Sequence, residues 1–285
     1  MFDKRVRLYT RIDNDIIWKG AKKLNAAEST LLFDNMLTLT TKLFFQQEDS
    51  LLHREYLSHA SNLLDIGCGN GAYLEEIKQH YPHLHCIGLE KDGRIFRYAE
   101  QRSKPGLEFV HADYREMAAP AAPFDVVIAR LIVTHLTDLE QFFAWLGSIT
   151  HETSTIIIID LDDAATGPAP PACLPLFESL FRASRKTLLD RYPVPLAKRI
   201  NDAIVKVSNI RIELKSYRRN VEDLESKTDM HRYMETVTKI MQTGFLSVER
   251  KLELDRWLLD DASSYQAGMF ALIIQRAQLH LSRGT

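Results

Sequence analysis

Apolar positions follow two regimes along the chain. Between residues 25 and 58, Leu31, Leu32, Met36, Leu37, Leu39, Leu43 and Phe44 recur near the helical period, which predicts helix. From Asn62 onward, short apolar runs alternate with helical stretches. Asn62–Ile66 (NLLDI), Cys86–Leu89 (CIGL), Leu107–His111 (LEFVH), Asp125–Ala129 (DVVIA) and Thr153–Asp160 (TSTIIIID) read as strands. Residues 71–80, Gly93–Arg102 and Leu139–Ile149 read as helices. Such β-branched runs predict strands buried on both faces, as in a parallel sheet layered between helices.

Past Asp163, Gly167–Pro171 is a breaker cluster and reads as a loop. Helices are expected at about 174–192 and 194–207. The alternating Ile210–Ser216 (IRIELKS) reads as a sixth strand, 222–242 and 246–260 as two further helices, and Gly268–Gln275 as the last strand. The expected organisation is an N-terminal helical addition over residues 1–58, then a main α/β domain over 59–285. Helical cover at about 174–207 and 222–260 surrounds the sixth strand, placed to close a site at the carboxyl edge of the sheet.

Composition narrows the function classes. Of 285 residues, 45% are hydrophobic and 26% charged, and the net charge is -2. That is an ordinary globular balance, with no global signature of nucleic-acid or membrane binding. The basic clusters Lys4–Arg7 and Lys215–Arg219 are read as solvated faces. The three scattered cysteines, Cys68, Cys86 and Cys173, form neither a disulfide framework nor a zinc pattern, so no metal is expected and a reducing compartment fits. The N-terminal MFDKRVRLYT has no apolar signal core, and no run is long enough to span a bilayer. A cytoplasmic location follows as the expectation.

The chemistry concentrates in Leu63–Gly71 (LLDIGCGNG). A strand ends, the chain turns through Gly67, Gly69 and Gly71, and a helix begins. Glycines permit positive φ and close approach of a ligand to the main chain. Gly67, Gly69 and Ala72 also satisfy G-x-G-x-x-A, with Glu90 about 20 residues on, so a dinucleotide site is a rival reading. Asp65 weighs against it. A carboxylate inside an apolar strand needs a partner. The cationic amino-acid end of a ligand supplies one, whereas a pyrophosphate would be disfavoured.

These residues resemble the class I S-adenosylmethionine-dependent methyltransferases of small-molecule type. LLDIGCGNG is similar to that family's first motif, D/E-x-G-x-G-x-G. The order of later blocks also matches: Glu90 closing IGLE, Asp113 in His111–Tyr114, and Phe124–Arg130 followed by Thr134-His135-Leu136. The resemblance implies a Rossmann-like seven-stranded sheet, ordered 3-2-1-4-5-7-6 with the last strand antiparallel, carrying N-terminal helices and helical insertions around strand six. It implies S-adenosylmethionine as methyl donor and S-adenosylhomocysteine as product. Asp65, Gly67, Cys68, Gly69 and Gly71 would hold the amino-acid end, and Glu90 with Lys91 the ribose. Ala112, Asp113 and Tyr114 would flank the adenine, with Arg130 and Leu131 near the methylthio group. Each has a bland alternative: Asp113 as a helix cap, Tyr114 as sheet packing, Arg130 as an ion-pair partner. Trp18 and Tyr9 are further candidates for covering the cofactor, with apolar packing as their alternative.

His135 is the general-base candidate near the transferred methyl, because imidazole titrates near neutrality. In the resembled family a histidine at this place is often structural. The expected acceptor is a small or medium-sized organic molecule. No N/D-P-P-Y/F sequence follows the fourth strand, so a nucleic-acid substrate is not expected. The other readings are a tRNA or protein methyltransferase, or a non-catalytic S-adenosylmethionine-binding protein. The oligomeric state is open, a homodimer included.

Overall fold

The computed structural model describes residues 24–117, 122–190, 196–204, 210–242 and 244–276. Helix α1 (Ala26–Glu48) starts at a reciprocal cap, in which Asn25 accepts from Glu28 N and Glu28 accepts from Asn25 N. It runs through a π turn (Asp49–His53) into α2 (Arg54–Leu57). Strand β1 (Asn62–Ile66) opens the alternating part, followed by α3 (Ala72–His80), β2 (His85–Glu90), α4 (Gly93–Glu100), β3 (Leu107–His111) and β4 (Phe124–Arg130). Then come α5 (Leu139–Ile149), β5 (Thr150–Leu161) and the short β6 (Gly167–Ala169). The second half holds α6 (Pro175–Leu189), α7 (Leu196–Ile204), β7 (Ile210–Val221), α8 (Leu224–Met241), α9 (Val248–Leu259) and β8 (Ser264–Arg276).

The strands form one sheet, ordered β3-β2-β1-β4-β5-β8, with β7 beyond β8. Strands β1 to β5 are mutually parallel and β8 is antiparallel to both neighbours. This is the expected 3-2-1-4-5-7-6 arrangement with one addition. Gly167–Ala169, read as loop, is a strand that pairs with Ser264–Gln266 of β8. Strand β8 outruns β5, whose pairing ends at Leu161 opposite Met269, and β6 takes the vacant edge beyond it. The sixth strand is also longer than its alternation suggests, because β8 gives all twelve residues a partner.

Two hydrophobic clusters flank the sheet. One joins Leu43, Phe44 and Phe45 of α1 to Leu63, Ile128, Ile157 and Ile159, and continues through Phe177, Met230, Met234 and Trp257 of the later helices. The other packs Phe142 and Leu146 of α5 and Ile200 of α7 against Leu64, Val127 and Ile158. Each such side chain contributes on the order of 1.5–3 kcal/mol when fully buried. Helix α1 therefore shares a core with α8 and α9 and lies across the carboxyl ends of the central strands. Among the described residues no helix is long and apolar enough to cross a membrane.

Candidate active site

The glycine loop leaves the carboxyl end of β1 with Gly67, Gly69 and Gly71 at φ +69, +59 and +78. Side-chain-bearing residues rarely adopt these angles. All three positions are also crowded, Gly71 against the Phe109 ring at 2.7 Å. A Cβ on Gly67 would stand 2.5 Å from Ile132 after β4, and one on Gly69 would stand 2.8 Å from Leu37 of α1. Cys68 N donates to Leu89 O at 2.9 Å, which holds the loop against β2. The Cys68 thiol is buried and its pKa pushed up by that burial, so it serves the loop as a small apolar side chain.

Asp65 and Glu90 give this loop its charge. Glu90 accepts from Gly69 N at 3.1 Å and Asp92 N at 2.7 Å, bridging the loop to the next turn, while burial raises its pKa. Asp65 is 2% exposed, and among the described residues nothing donates a hydrogen bond to its carboxylate. Burial pushes its pKa up to about 7; Arg130 pulls the other way and Glu90 adds to the rise.

The resemblance-derived residues on the adenine side occupy the loops after β2 and β3. Ala112 N donates to Glu90 O at 3.1 Å, and the Lys91 carbonyl accepts from His111 Nε2 at the same distance. Asp113 caps the 3-10 turn Tyr114–Glu116 and is forked by Arg115, with Nε at 2.9 Å and Nη2 at 2.6 Å, which lowers its pKa. Tyr114 packs on Phe142 and Trp145, with ring centroids at 5.2 and 5.1 Å. The bland readings of Asp113 and Tyr114 thus describe their present contacts. An open groove of about 640 Å³ beside them, lined by Lys91, Arg94, Arg97 and His111, holds neither Asp65 nor the glycines, so it is not the candidate site.

Arg130, at the end of β4, is buried. It meets Glu48 of α1 through Nε at 3.0 Å and Nη2 at 3.3 Å, and its guanidinium lies 4.4 Å from the centre of the Tyr73 ring. Glu48 also accepts from Tyr217 of β7 at 2.9 Å. Despite burial, its pKa is lowered, chiefly through the charge of Arg130. The cluster extends from Tyr73 to His53 (2.8 Å), and a second fan of bonds joins Asp49 to Tyr81 (2.7 Å) and Arg54 (3.1 Å). Arg130 is thus an ion-pair partner as well as a neighbour of Asp65. Leu131, with φ +58, turns the chain sharply and donates to Ile159 O at 2.7 Å. His135 ends a 3-10 turn (Val133–His135) and is exposed; the turn is pinned by Thr134, whose N and Oγ1 reach Asp160 at 3.2 and 2.6 Å.

Several residues at the site carry no signature in the sequence reading. The Asn70 amide donates to Asp34 Oδ1 (2.7 Å), Asp34 O (3.1 Å) and Thr38 Oγ1 (2.8 Å), latching α1 onto the glycine loop. Glu48, Tyr73, Tyr217 and Asp160 likewise belong to no sequence motif. A local signal existed for Glu48 alone, a charge following the apolar Leu43–Phe45 stretch. Trp18, Tyr9 and the Lys4–Arg7 cluster lie outside the described residues. Of the other basic cluster, Lys215 pairs with Glu55 at 2.9 Å. His231, Glu235 and Asp255 approach one another closely enough to suggest a metal site, but the Lys251 ammonium stands 3.3 Å from Glu235 and 3.1 Å from Asp255 as their cation.

Residues 63–152 match the family described as a methyltransferase domain. Over these residues, about a third of the chain, the α/β domain is similar to methyltransferase domains. The trans-aconitate 2-methyltransferase of Azoarcus sp. (strain BH72) is 33% identical over 88 residues, 31% of this chain and 34% of that protein. The sterol 24-C-methyltransferase of Aspergillus fumigatus is 32% identical over 103 residues, 34% of this chain and 27% of that protein. The matches thus span about a third of the length of these relatives. The fold is shared with phosphoethanolamine N-methyltransferase 2 of Haemonchus contortus, solved with S-adenosyl-L-methionine, at a TM-score of 0.55 and 16% identity over 88% of this chain and 57% of that one.

Proposed function

We propose that this methyltransferase-family protein is an enzyme that moves a methyl group from S-adenosylmethionine to a small or medium-sized organic acceptor. The observation that carries the reading is Asp65, a buried carboxylate that receives no hydrogen bond from the described residues, set directly before the glycine loop. The cationic amino-acid end of the donor supplies the missing charge, either directly or through water. A nicotinamide dinucleotide would bring phosphate toward the same carboxylate. Bound there, S-adenosylmethionine supplies an electrophilic methyl on a sulfonium that is already a good leaving group. The chain's own residues then bind and orient. Glu90 is placed to exchange Gly69 N–H for ribose hydroxyls. Lys91, Ala112, Asp113 and Tyr114 border the adenine side, and α1, held by Asn70, covers the loop. The acceptor atom must stand in line with the methyl carbon at about 3–3.5 Å. Helices α6 and α8, which pack on the turn after β4 and on α1, would form its walls and carry acceptor choice, while α7 packs with α5 on the sheet face. The relatives named for trans-aconitate and for a sterol support a small acceptor. We place the reaction in the cytoplasm.

A thermal-shift comparison tests the donor. A ligand bound only by the native state stabilises it by about 2.7 kcal/mol at a hundred times its Kd. S-adenosylmethionine and S-adenosylhomocysteine are expected to stabilise the protein and NAD(H) not; stabilisation by NAD(H) alone overturns the reading. Glu90→Ala is expected to weaken donor binding by about 1.5–3 kcal/mol, the range for hydrogen bonds to a charged group, as read by calorimetry. Incubation with metabolite extract, followed by mass spectrometry for products heavier by one methylene, separates an enzyme from a non-catalytic binder.

A further inference from the structure

Strand β7 pairs with β8 and, among the described residues, with nothing on its other side. The direction of its main-chain groups follows from its neighbour. The Gly268 carbonyl accepts from Asp162 N at 2.9 Å, and its N–H donates to Thr166 Oγ1 at 2.9 Å, so both point away from β7. Its partner Arg218 therefore occupies a non-hydrogen-bonded pair. The Arg218 carbonyl accordingly turns outward and accepts from Gln47 Nε2 at 2.9 Å. By alternation, Ile210, Ile212, Leu214 and Ser216 direct their N–H and C=O groups to the outer edge. Ile212 is 40% and Leu214 62% exposed. A long apolar edge with free main-chain groups is a template for pairing with another strand.

We propose that this edge binds β7 of a second copy of the chain, antiparallel, about a two-fold axis at Leu214. The occupant is chosen by charge complementarity. In that register Leu214 meets its own equivalent, Ile212 meets Ser216 of the partner subunit, and Glu213 meets Lys215 of the partner subunit on each side of the axis. Opposite charges directly across a ladder are stabilising and like charges destabilising. A register centred on Glu213 would set that carboxylate against itself at the close, non-hydrogen-bonded pair on the axis. A register centred on Ile212 would reach only as far as Leu214, because β7 begins at Ile210; the Leu214 register adds the outward groups of Ser216 and the Arg218 N–H, the Arg218 carbonyl being held by Gln47. The contact is isologous, so it closes as a dimer instead of growing into a filament. Leu51 and Tyr56, beside the edge where Lys215 crosses the Tyr56 ring at 5.4 Å, add apolar surface next to the axis.

Sedimentation of the full chain at micromolar concentration tests the proposal. A concentration-dependent dimer is expected. Glu213→Lys and Lys215→Glu, each checked for unchanged circular dichroism, should each raise the dimer Kd by about tenfold or more, because like charges then face one another. An equimolar mixture of the two variants should restore a dimer, since each variant supplies the charge that the other lacks. A monomer at all concentrations overturns the proposal. So does a dimer that ignores both variants, or one broken by Glu213→Lys alone, which would mark the Ile212 register. None of these outcomes depends on methyl transfer.

Discussion

Two neighbouring regions beneath α1 treat a buried carboxylate in opposite ways. In the seam between α1 and β4, Glu48 is fully buried and fully served: Arg130 brings charge and two hydrogen bonds, and Tyr217 a third. At the mouth of the glycine loop, Asp65 is as buried and receives no hydrogen bond from the described residues. The same guanidinium influences both, lowering the pKa of Glu48 below its ordinary value and only moderating the rise of Asp65. The buried charge of Glu48 is satisfied within the fold, whereas the described residues supply Asp65 with no such partner. Arg130, at the carboxyl end of β4, thus pairs with Glu48 and holds α1 in place.

Breaking the seam should have the largest effect. Arg130→Met leaves Glu48 buried without its cation, and orphaning one member of a buried pair costs about 3–5 kcal/mol. Urea denaturation should show that loss. The double variant Glu48→Gln/Arg130→Met should recover most of it, because no uncompensated charge remains. Equal losses in the single and double variants would mean that packing around the Tyr73 ring, not charge, holds the seam.

Asp65 gives the contrasting sign. Its pKa is about 7 in the folded protein against 3.8 for an ordinary aspartate. Across that window the folded protein keeps a proton that the unfolded chain has released, so stability falls as pH rises, by about 4 kcal/mol in all. Glu48, with its pKa lowered, contributes stability above its unfolded pKa that is lost as pH falls through the folded one. Asp65→Asn should therefore gain on the wild type progressively between pH 4 and 7 in denaturant titrations, while losing affinity for S-adenosylmethionine. A variant as pH-dependent as the wild type would show that Asp65 is already partnered in solution.

These two regions also differ in how far the sequence disclosed them. The glycine loop is local. Asp65, Gly67, Gly69 and Gly71 lie within seven residues, and the strand before them and helix after them are set by period alone. The seam joins residues far apart in the chain, Glu48 to Arg130 and Glu48 to Tyr217, and no pattern in either segment predicts its partner. Strand β6 was illegible for a different reason. Gly167–Ala169 is a breaker cluster by composition and becomes a strand only because β8 extends past β5. Asp113 and Tyr114 were read in two ways from the sequence, and their present contacts match the local one of capping and packing, which leaves the edge of Asp113 available to a ligand only if Arg115 yields.

The smallest effect is expected at His135, and it sharpens the same contrast between holding and reacting. The turn that carries it is fixed by Thr134 on Asp160 and by Leu131 on Ile159, bonds that do not involve the imidazole. Those bonds remain when the side chain is removed. Sulfonium is a leaving group that needs no protonation, and an acceptor that is already anionic, or that sheds its proton after transfer, needs no base. Positioning then carries the rate. His135→Ala should lower kcat by less than about tenfold with donor affinity intact, whereas loss of a general base costs about 10²–10⁴-fold. The pH profile decides between them. If the imidazole removes a proton in the transition state, the acidic limb of kcat/KM disappears in the variant along with the rate; if the limb survives unchanged, the group that titrates there is another, and Asp65, whose pKa is pushed up to about 7, is the first to test.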